Sequence, residues 1–456
     1  MLLKYIFIKE YKKFKNFELK ITPTSDFNSI YREYYGNMNV STFVGENGVG
    51  KTTLLSFIVN VFHNLERYHD KIHSDFIIKY DIKKGGTGEN LEVQIRKEQM
   101  NIYIKFSESD QECLLLEWTH IRGGEGVYKR KATQENIEKP DITYDGIKEY
   151  LPYNLITSVF SLHSEYETGR PNSYYGDRLI KDYDITNIYG ADHFKGSSLS
   201  RGLARFLGLY ITQNEILISL LNSLNLELAP VIKIYLDRNI GSNESEFGQL
   251  NVESGWVDLG NIDNNHSNEE WIRKIVDAEY DEDIYINDLA FYKEDYVIDL
   301  STMSSGEKMF FYRIFSILSV IDHNSLIIIE EPELHLNPTW TKQIITMFYL
   351  LFNTYNSHFL IATHSYSFIN TLFPENIILF KQYSVTHPNF NTFLSNEREI
   401  TSKLFHSSKN LNYAETKLIE NIKISKSDDE LKYIMGYLGE SFYKFMIFNE
   451  LHDGED

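Results

Sequence analysis

The run Gly45-Glu46-Asn47-Gly48-Val49-Gly50-Lys51-Thr52 constrains this chain more than any other stretch. It completes the G-x-x-x-x-G-K-[ST] pattern. Before it, Met38-Asn39-Val40-Ser41-Thr42-Phe43-Val44 reads as a short buried strand. After it, Leu54, Leu55, Ile58, Val59 and Phe62 recur at helical spacing. A strand, a glycine-rich turn and a helix N-terminus aim a row of backbone N–H groups and the positive end of a helix dipole at one small volume. That volume suits a polyphosphate. Lys51 is placed to reach the β- and γ-phosphates, and the Thr52 hydroxyl to ligate Mg²⁺. The expectation is an α/β chain that binds a nucleotide.

The 456 residues suffice for one large interrupted domain or two to three ordinary ones, and 42% of them are hydrophobic against 24% charged. No apolar run approaches the length of a membrane span. The opening Met1-Leu2-Leu3-Lys4-Tyr5-Ile6 lacks a basic region and a small-residue cleavage site, so the expected location is cytoplasmic, with no membrane partner. The single cysteine, Cys113, excludes an internal disulfide and a cysteine-rich zinc cluster. A net charge of −20 argues against nucleic-acid binding through global basicity. A local basic groove, on an oligomer above all, keeps nucleic acid open as a partner.

A second group of segments lies far downstream. Ser304-x-x-Glu307 makes a capping box before an apolar-periodic run through Phe311, Ile314, Phe315 and Leu318. Ser325-Leu326-Ile327-Ile328-Ile329 then reads as a strand buried on both faces, ending in Glu330 and Glu331. Carboxylates at the carboxyl end of such a strand stand where α/β folds place ligands. Alternation sends the two in different directions, one toward a Mg²⁺ shell and the other toward an attacking water. A solvated acidic turn is the plainer alternative. His358-Phe359-Leu360-Ile361-Ala362-Thr363-His364-Ser365 is another short apolar strand, ending in an imidazole.

Together these segments resemble the ABC-type ATPase family, in its SMC-like and RecF-like branch, over residues 1 to about 20, 38–66 and 298–380. Tyr5 to Phe17 looks like the branch's first strand and turn. Met303-Ser304-Ser305-Gly306-Glu307 looks like the signature loop, with Met for the usual Leu and Ser305 for the first Gly. Glu330-Glu331-Pro332-Glu333-Leu334-His335-Leu336 is similar to the Walker B and D-loop region of ATPases akin to the overcoming-lysogenization-defect (OLD) type. Glu330 replaces the Walker B aspartate, and no glutamine occupies an evident Q-loop position. The segment Tyr153 to His163 offers Ser161 or His163 there instead.

The resemblance implies a P-loop NTPase with an ABC-type head, an antiparallel β-lobe, a helical insertion and a helical C-terminal tail. It also implies ATP and Mg²⁺, with ATP held by Gly45, Glu46, Asn47, Gly48, Val49, Gly50, Lys51, Thr52 and Thr53. Thr52 and Glu330 would serve the metal, and Glu331, His364 and Lys51 the hydrolysis. Ser304, Ser305, Gly306 and Glu307 would complete the site of another copy. A head-to-tail dimer or higher homo-oligomer follows. The functional expectation is an ATPase subunit of a prokaryotic anti-phage complex, similar to Septu-type or PARIS-type ATPases, that regulates a separate effector nuclease. A RecF-like ATPase that binds DNA in repair is the alternative.

The expected division is a P-loop and hairpin lobe at 1–150, a Q-loop-like segment and mainly helical insertion at 151–297, a signature, Walker B and H-loop lobe at 298–380, and a helical extension at 381–456. Alternation punctuated by glycine predicts antiparallel hairpins over 73–118, which also accounts for Asp81, Glu92 and Gln94 without a nuclease. Residues 165–195 read as a long loop, and a helical stretch from Ser197 to about Leu228 carries Arg201 and Arg205 on an expected solvated face. A helix is expected around Trp271, and two more at 411–425 and 428–451. No heptad pattern lasts long enough for a coiled-coil arm. The tail also lacks the length and acidic motifs expected of a Toprim nuclease.

Overall fold

The alternation over 73–118 becomes part of a seven-stranded antiparallel sheet. A computed structural model describes residues 1–21, 29–36, 38–65, 72, 74–84, 88–99, 101–107, 112–120, 126–130, 150–158, 181–182, 197–236, 255–262, 267–381, 384–404, 413–423, 427–439 and 441–452. With strands numbered in chain order, this sheet holds β1 (Leu2–Tyr11), β2 (Phe14–Lys20), β4 (Phe76–Lys83), β5 (Asn90–Glu98), β6 (Asn101–Phe106), β7 (Glu112–His120) and β8 (Gly126–Arg130). Their order is β2-β1-β4-β5-β6-β7-β8. Every second residue of β4 is buried, namely Phe76, Ile78, Tyr80 and Ile82, so one face belongs to the core. On the other face Lys4 binds both Asp81 and Glu92 at 2.7 Å, a structural ion cluster rather than a nuclease centre.

The second sheet carries the P-loop. It holds β3 (Asn39–Val44), β9 (Leu155–Ser158), β10 (Lys181–Asp182), β15 (Leu326–Glu330), β16 (His358–Thr363), β17 (Ile377–Lys381) and β18 (Ser384–Thr386), in the order β10-β9-β15-β16-β3-β17-β18. All its pairings are parallel except β17 with β18. Strands β3 and β16 are buried at every position, as expected of parallel strands covered on both faces. After the short α1 (Ser29–Tyr35), helix α2 (Lys51–Leu65) shares one continuous apolar core with the inner face of the antiparallel sheet and with Leu326, Ile328, Leu360 and Ile378 of the parallel one. Against the opposite face lies α7 (Pro338–Phe352), where Phe348 stacks on Phe359 at 5.5 Å.

His358 fastens the two sheets. Fully buried, it accepts the Leu3 N–H on Nδ1 at 3.0 Å and bonds the Ser41 hydroxyl through Nε2 at 3.0 Å. Burial lowers its pKa to about 3, so the ring stays neutral and each nitrogen keeps its role.

The middle of the chain builds a third layer. Strands β11 (Glu227–Leu236), β12 (Trp256–Asp258), β13 (Ile284–Lys293) and β14 (Tyr296–Asp299) form an antiparallel sheet ordered β12-β11-β13-β14. Helices α3 (Ser197–Thr212), α4 (Asn214–Ser223), α5 (Asn268–Tyr280) and α6 (Ser305–Val320) accompany it. The helical stretch expected to reach Leu228 stops at Ser223, and the helix expected around Trp271 is α5, opened by a capping box from Ser267 to Glu270. The α/β class with its antiparallel lobe is therefore the one the sequence implies. The loop expected at 165–195 lies outside the described residues apart from β10.

The chain divides into two compact units, Met1–Glu397 and Arg398–Asp456. Helix α9 (Glu397–Leu404) starts at the boundary; in the second unit, α10 (Tyr413–Lys423), α11 (Asp428–Tyr437) and α12 (Phe442–His452) gather around Ile422, Leu431 and Ile447. The helix expected over 428–451 is thus two, broken where Leu438 turns extended. Among the described residues no helix is long and apolar enough to cross a membrane.

Candidate functional site

Strand β3 ends at Val44 and the chain enters the glycine loop. Gly48 and Gly50 take φ of +78° and +111°, a region where side chains are disfavoured. Gly45 is required for a different reason: a Cβ there would lie 2.7 Å from the Phe380 carbonyl oxygen. Glu46, Asn47 and Gly48 are exposed and Val49 half-buried; Thr52 and Thr53 follow on the first turn of α2. Lys51 folds back over the loop, donating to the Gly45 carbonyl at 2.7 Å and the Glu46 carbonyl at 3.0 Å. Burial pushes its ammonium below the usual lysine range, while Glu331, Glu330 and Glu333 pull the other way. The glycine loop and the acidic strand end share one electrostatic volume.

That strand end is held in register by β16. Glu330 pairs with Ala362, and the Glu331 N–H donates to the Ala362 carbonyl at 2.8 Å. Glu331 then takes φ of +45°, which breaks the alternation and starts a turn closed by Leu334 N–H on the Glu331 carbonyl. Its Oε1 lies 3.4 Å from His364 Nδ1, both side chains about half exposed. Behind them the Thr363 hydroxyl donates to Glu333 Oε1 at 2.5 Å and accepts the Ser365 N–H at 3.0 Å. Ser365 caps α8 (Tyr366–Ile369), so the turn bearing His364 is fixed on both sides. Glu333 Oε2 is buried without a hydrogen-bond partner.

Ser304 is the N-cap of α6. Its N–H and hydroxyl both donate to Glu307 Oε2, at 3.0 and 2.7 Å, and the Glu307 N–H returns to its Oγ. Burial acts to raise the Glu307 carboxyl, but Lys293 at 2.6 Å and Ser304 outweigh it and hold it low. Ser304 and Ser305 are exposed. Gly306 is buried so closely that a Cβ would meet the His335 carbonyl oxygen at 2.2 Å. The helix start therefore backs directly onto the turn that follows Glu331.

Further along α6, Arg313 is 4% exposed. Its Nε–H donates to Ser158 Oγ at 2.9 Å and an Nη to the Glu330 carbonyl at 3.4 Å. Burial lowers its pKa to about 9, against the charges of Glu333 and Glu331, so it remains a cation at neutral pH.

The structure thus gathers Lys51, Glu330, Glu331 and His364 at the carboxyl edge of one parallel sheet, with Thr52 beside Lys51. Ser304 and Ser305 form a separate exposed corner, with Gly306 packed beneath it on His335 and Glu307 tied to Lys293. Ser161 and His163 lie outside the described residues. Three residues that sequence reasoning left without a role stand inside the cluster: Glu333, Thr363 and Arg313. The signal for Arg313 was a lone cation in an apolar helix face. Arg201 and Arg205 are a correction, because neither sits on a solvated face. Arg201 pairs with buried Glu279 at 3.2 Å, and Arg205 caps the end of α6 through the Leu318 and Ile321 carbonyls at 2.7 and 2.8 Å.

The residues fit a nucleotide polyphosphate with Mg²⁺. Gly48 faces open space where a Cβ would stand, and Lys51 places a cation beside the glycine loop within the field of Glu330 and Glu331. Among the described residues no group of three or more His, Cys, Asp or Glu side chains could hold a metal alone. Mg²⁺ commonly takes one or two protein oxygens and completes its shell with phosphate and water, a role open to Thr52 and Glu330.

Residues 225–370 match a family model described as "AAA domain, putative AbiEii toxin, Type IV TA system", about a third of the chain. No curated protein matches the chain. Among solved structures it is similar to an Smc head bound to the C-terminal winged-helix domain of ScpA, at 11% identity and a TM-score of 0.40, over 88% of this chain and 100% of that one. It is also similar to the SMC head domain from Thermotoga maritima, at 14% identity and a TM-score of 0.35, over 86% and 100%. A third likeness, at 12% identity and a TM-score of 0.32 over 84% and 97%, is to the recombination mediator RecF of the RecFOR pathway.

Proposed function

We propose that this chain binds and hydrolyses ATP, that copies of it complete one another's nucleotide sites, and that it is the ATPase subunit of a prokaryotic anti-phage complex governing a separate effector nuclease. The observation that supports this most is the meeting of the P-loop lysine with Glu330, Glu331 and Glu333 at one sheet edge, with His364 at 3.4 Å from Glu331. Phosphoryl transfer asks mainly for positioning and charge compensation. Lys51 and the N–H groups from Gly48 to Lys51 would hold the phosphates. Thr52 and Glu330 would hold Mg²⁺, which when bound offsets charge on the β- and γ-oxygens. Glu331 would polarise the attacking water, and His364 would contact the γ-phosphate. Ser304 and Gly306 of a second copy would close the site, with the α6 N-terminus directed at the phosphate. The matched family's description as a putative toxin favours a defence setting; the further reading as an OLD-like ATPase of the Septu or PARIS type rests on the Glu330–Leu336 segment alone.

Lys51→Ala should abolish binding of a fluorescent ATP analogue. Glu331→Gln should keep that binding, lose hydrolysis by about a hundredfold or more, and accumulate as an ATP-bound dimer or larger oligomer in light scattering. Wild-type turnover in Glu331→Gln would sink the catalytic assignment. For the setting, co-purification with a nuclease encoded next door is the expected result, and salt-sensitive DNA binding by the chain alone would favour a RecF-like role instead.

A further inference from the structure

Arg313 sits in a helix stretch, Phe310 to Phe315, whose other members are all buried and apolar or aromatic. A guanidinium survives there only if its donors are met. Two of them reach the ends of two strands of the parallel sheet: Ser158 closes β9 and Glu330 closes β15. Glu333, whose charge acts on Arg313, extends the linkage through the Thr363 hydroxyl to the Ser365 N–H, and so to the turn that carries His364. The same helix has a second attachment to this segment. Gly306 abuts the His335 carbonyl, so α6 is fixed at both ends of the stretch from Glu330 to His335, once by contact and once by hydrogen bond.

We propose that Arg313 is a positioning residue for hydrolysis, tying the helix that opens at Ser304 to the strand ends that carry Glu330 and Glu331, so that engagement of Ser304 by a second copy sets those carboxylates. The inference rests on the reading of the chain as an ATPase closed between copies. A rigid helix bonded at Glu330 and packed at His335 cannot shift at its exposed end without moving the turn between them. Lys51 feels the charges of these glutamates but spends its hydrogen bonds on the Gly45 and Glu46 carbonyls, so ATP binding and ATP hydrolysis should separate when the bonds of Arg313 are cut.

Arg313→Met keeps length and burial but removes every bond; Arg313→Lys keeps the charge but has a single donor nitrogen, which cannot span Ser158 and Glu330 as the guanidinium does. Both should bind the fluorescent ATP analogue, and show a KM for ATP, within threefold of wild type. Turnover should fall tenfold or more in Arg313→Met and less in Arg313→Lys. Ser158→Ala, which leaves the guanidinium in place, should lower kcat about threefold and add nothing in the Arg313→Met background. A folded Arg313→Met with kcat within twofold of wild type overturns the proposal, as does a parallel loss of affinity and turnover. Should the wild-type chain bind ATP without turning it over, hydrogen exchange over 330–336 replaces kcat. ATP-induced protection there in wild type and not in Arg313→Met supports the role, and equal protection overturns it. Absence of Lys51-dependent ATP binding in wild type marks failure of the ATPase reading itself, and the role of Arg313 falls with it.

Discussion

Asp288 on β13 is 6% exposed, and its Oδ1 accepts the N–H groups of Leu289 at 2.9 Å and Leu300 at 3.1 Å. Burial first, then the charge of Asp299, raises its pKa from 3.8 to about 7, against those two N–H groups and Lys233. The folded chain therefore keeps a proton that the unfolded chain has lost between about pH 4 and pH 7. Stability falls as pH rises through that window, and the loss is complete above it, on the order of 4 kcal/mol. Asp288→Asn retains the acceptor and removes the ionisation. Its melting temperature should exceed that of wild type at pH 8 and match it near pH 4; equal pH slopes in the two proteins would refute the assignment. Nothing in the sequence around Asp288 marks it, because its environment is made by Asp299 and Leu300, eleven and twelve residues on, and by Lys233 on β11. Gly48, Gly50 and Lys51 were legible because their partners are near neighbours in the chain.

Helices α3 and α6 cross at Gly202, where a Cβ would fall 2.0 Å from the Phe315 carbonyl oxygen. Gly202→Ala must push two backbones apart, so its cost should reach or exceed the roughly 1–3 kcal/mol typical of overpacking. Gly208, on the same helix with open space at its Cβ position, should gain about 0.5–1 kcal/mol as alanine. Urea denaturation of the two variants checks both; a neutral Gly202→Ala would mean that the crossing is looser than described. At this scale β15 and β16 were readable as unbroken apolar runs, Leu326–Ile329 and Phe359–Ala362, and β3 by its place before the glycine loop. The sheet of β11 to β14 was not. β11 contains Pro230, and its pairing with β13 slips between Leu228 and Ile232, so neither strand shows a clean two-residue period. Arg205 was misread for a related reason: a solvated face and a cap on another helix look alike until the helices meet.

On the scale of the whole molecule, the Ser304 corner and the P-loop edge were each visible in sequence, but not the joint between α6 and the Glu330–His335 stretch through Arg313 and Gly306. The sheet order carries one more consequence. β3, which delivers the glycine loop, has β16 on one side and β17 on the other, and Ser41 and His358 are 317 residues apart. During synthesis the nucleotide-binding motif leaves the ribosome early, yet its strand has no neighbours until almost the entire first unit has followed. Contacts this distant in sequence form slowly and late. Stalled nascent chains exposing residues 1–350 should fail to capture a fluorescent ATP analogue, and chains exposing 1–397 should capture it; capture by the shorter chains would show that the loop matures locally. If capture waits for the longer chain, nucleotide occupancy reports that the chain has been made nearly to the end of that unit, and the proposed assembly of copies through ATP would exclude unfinished ones.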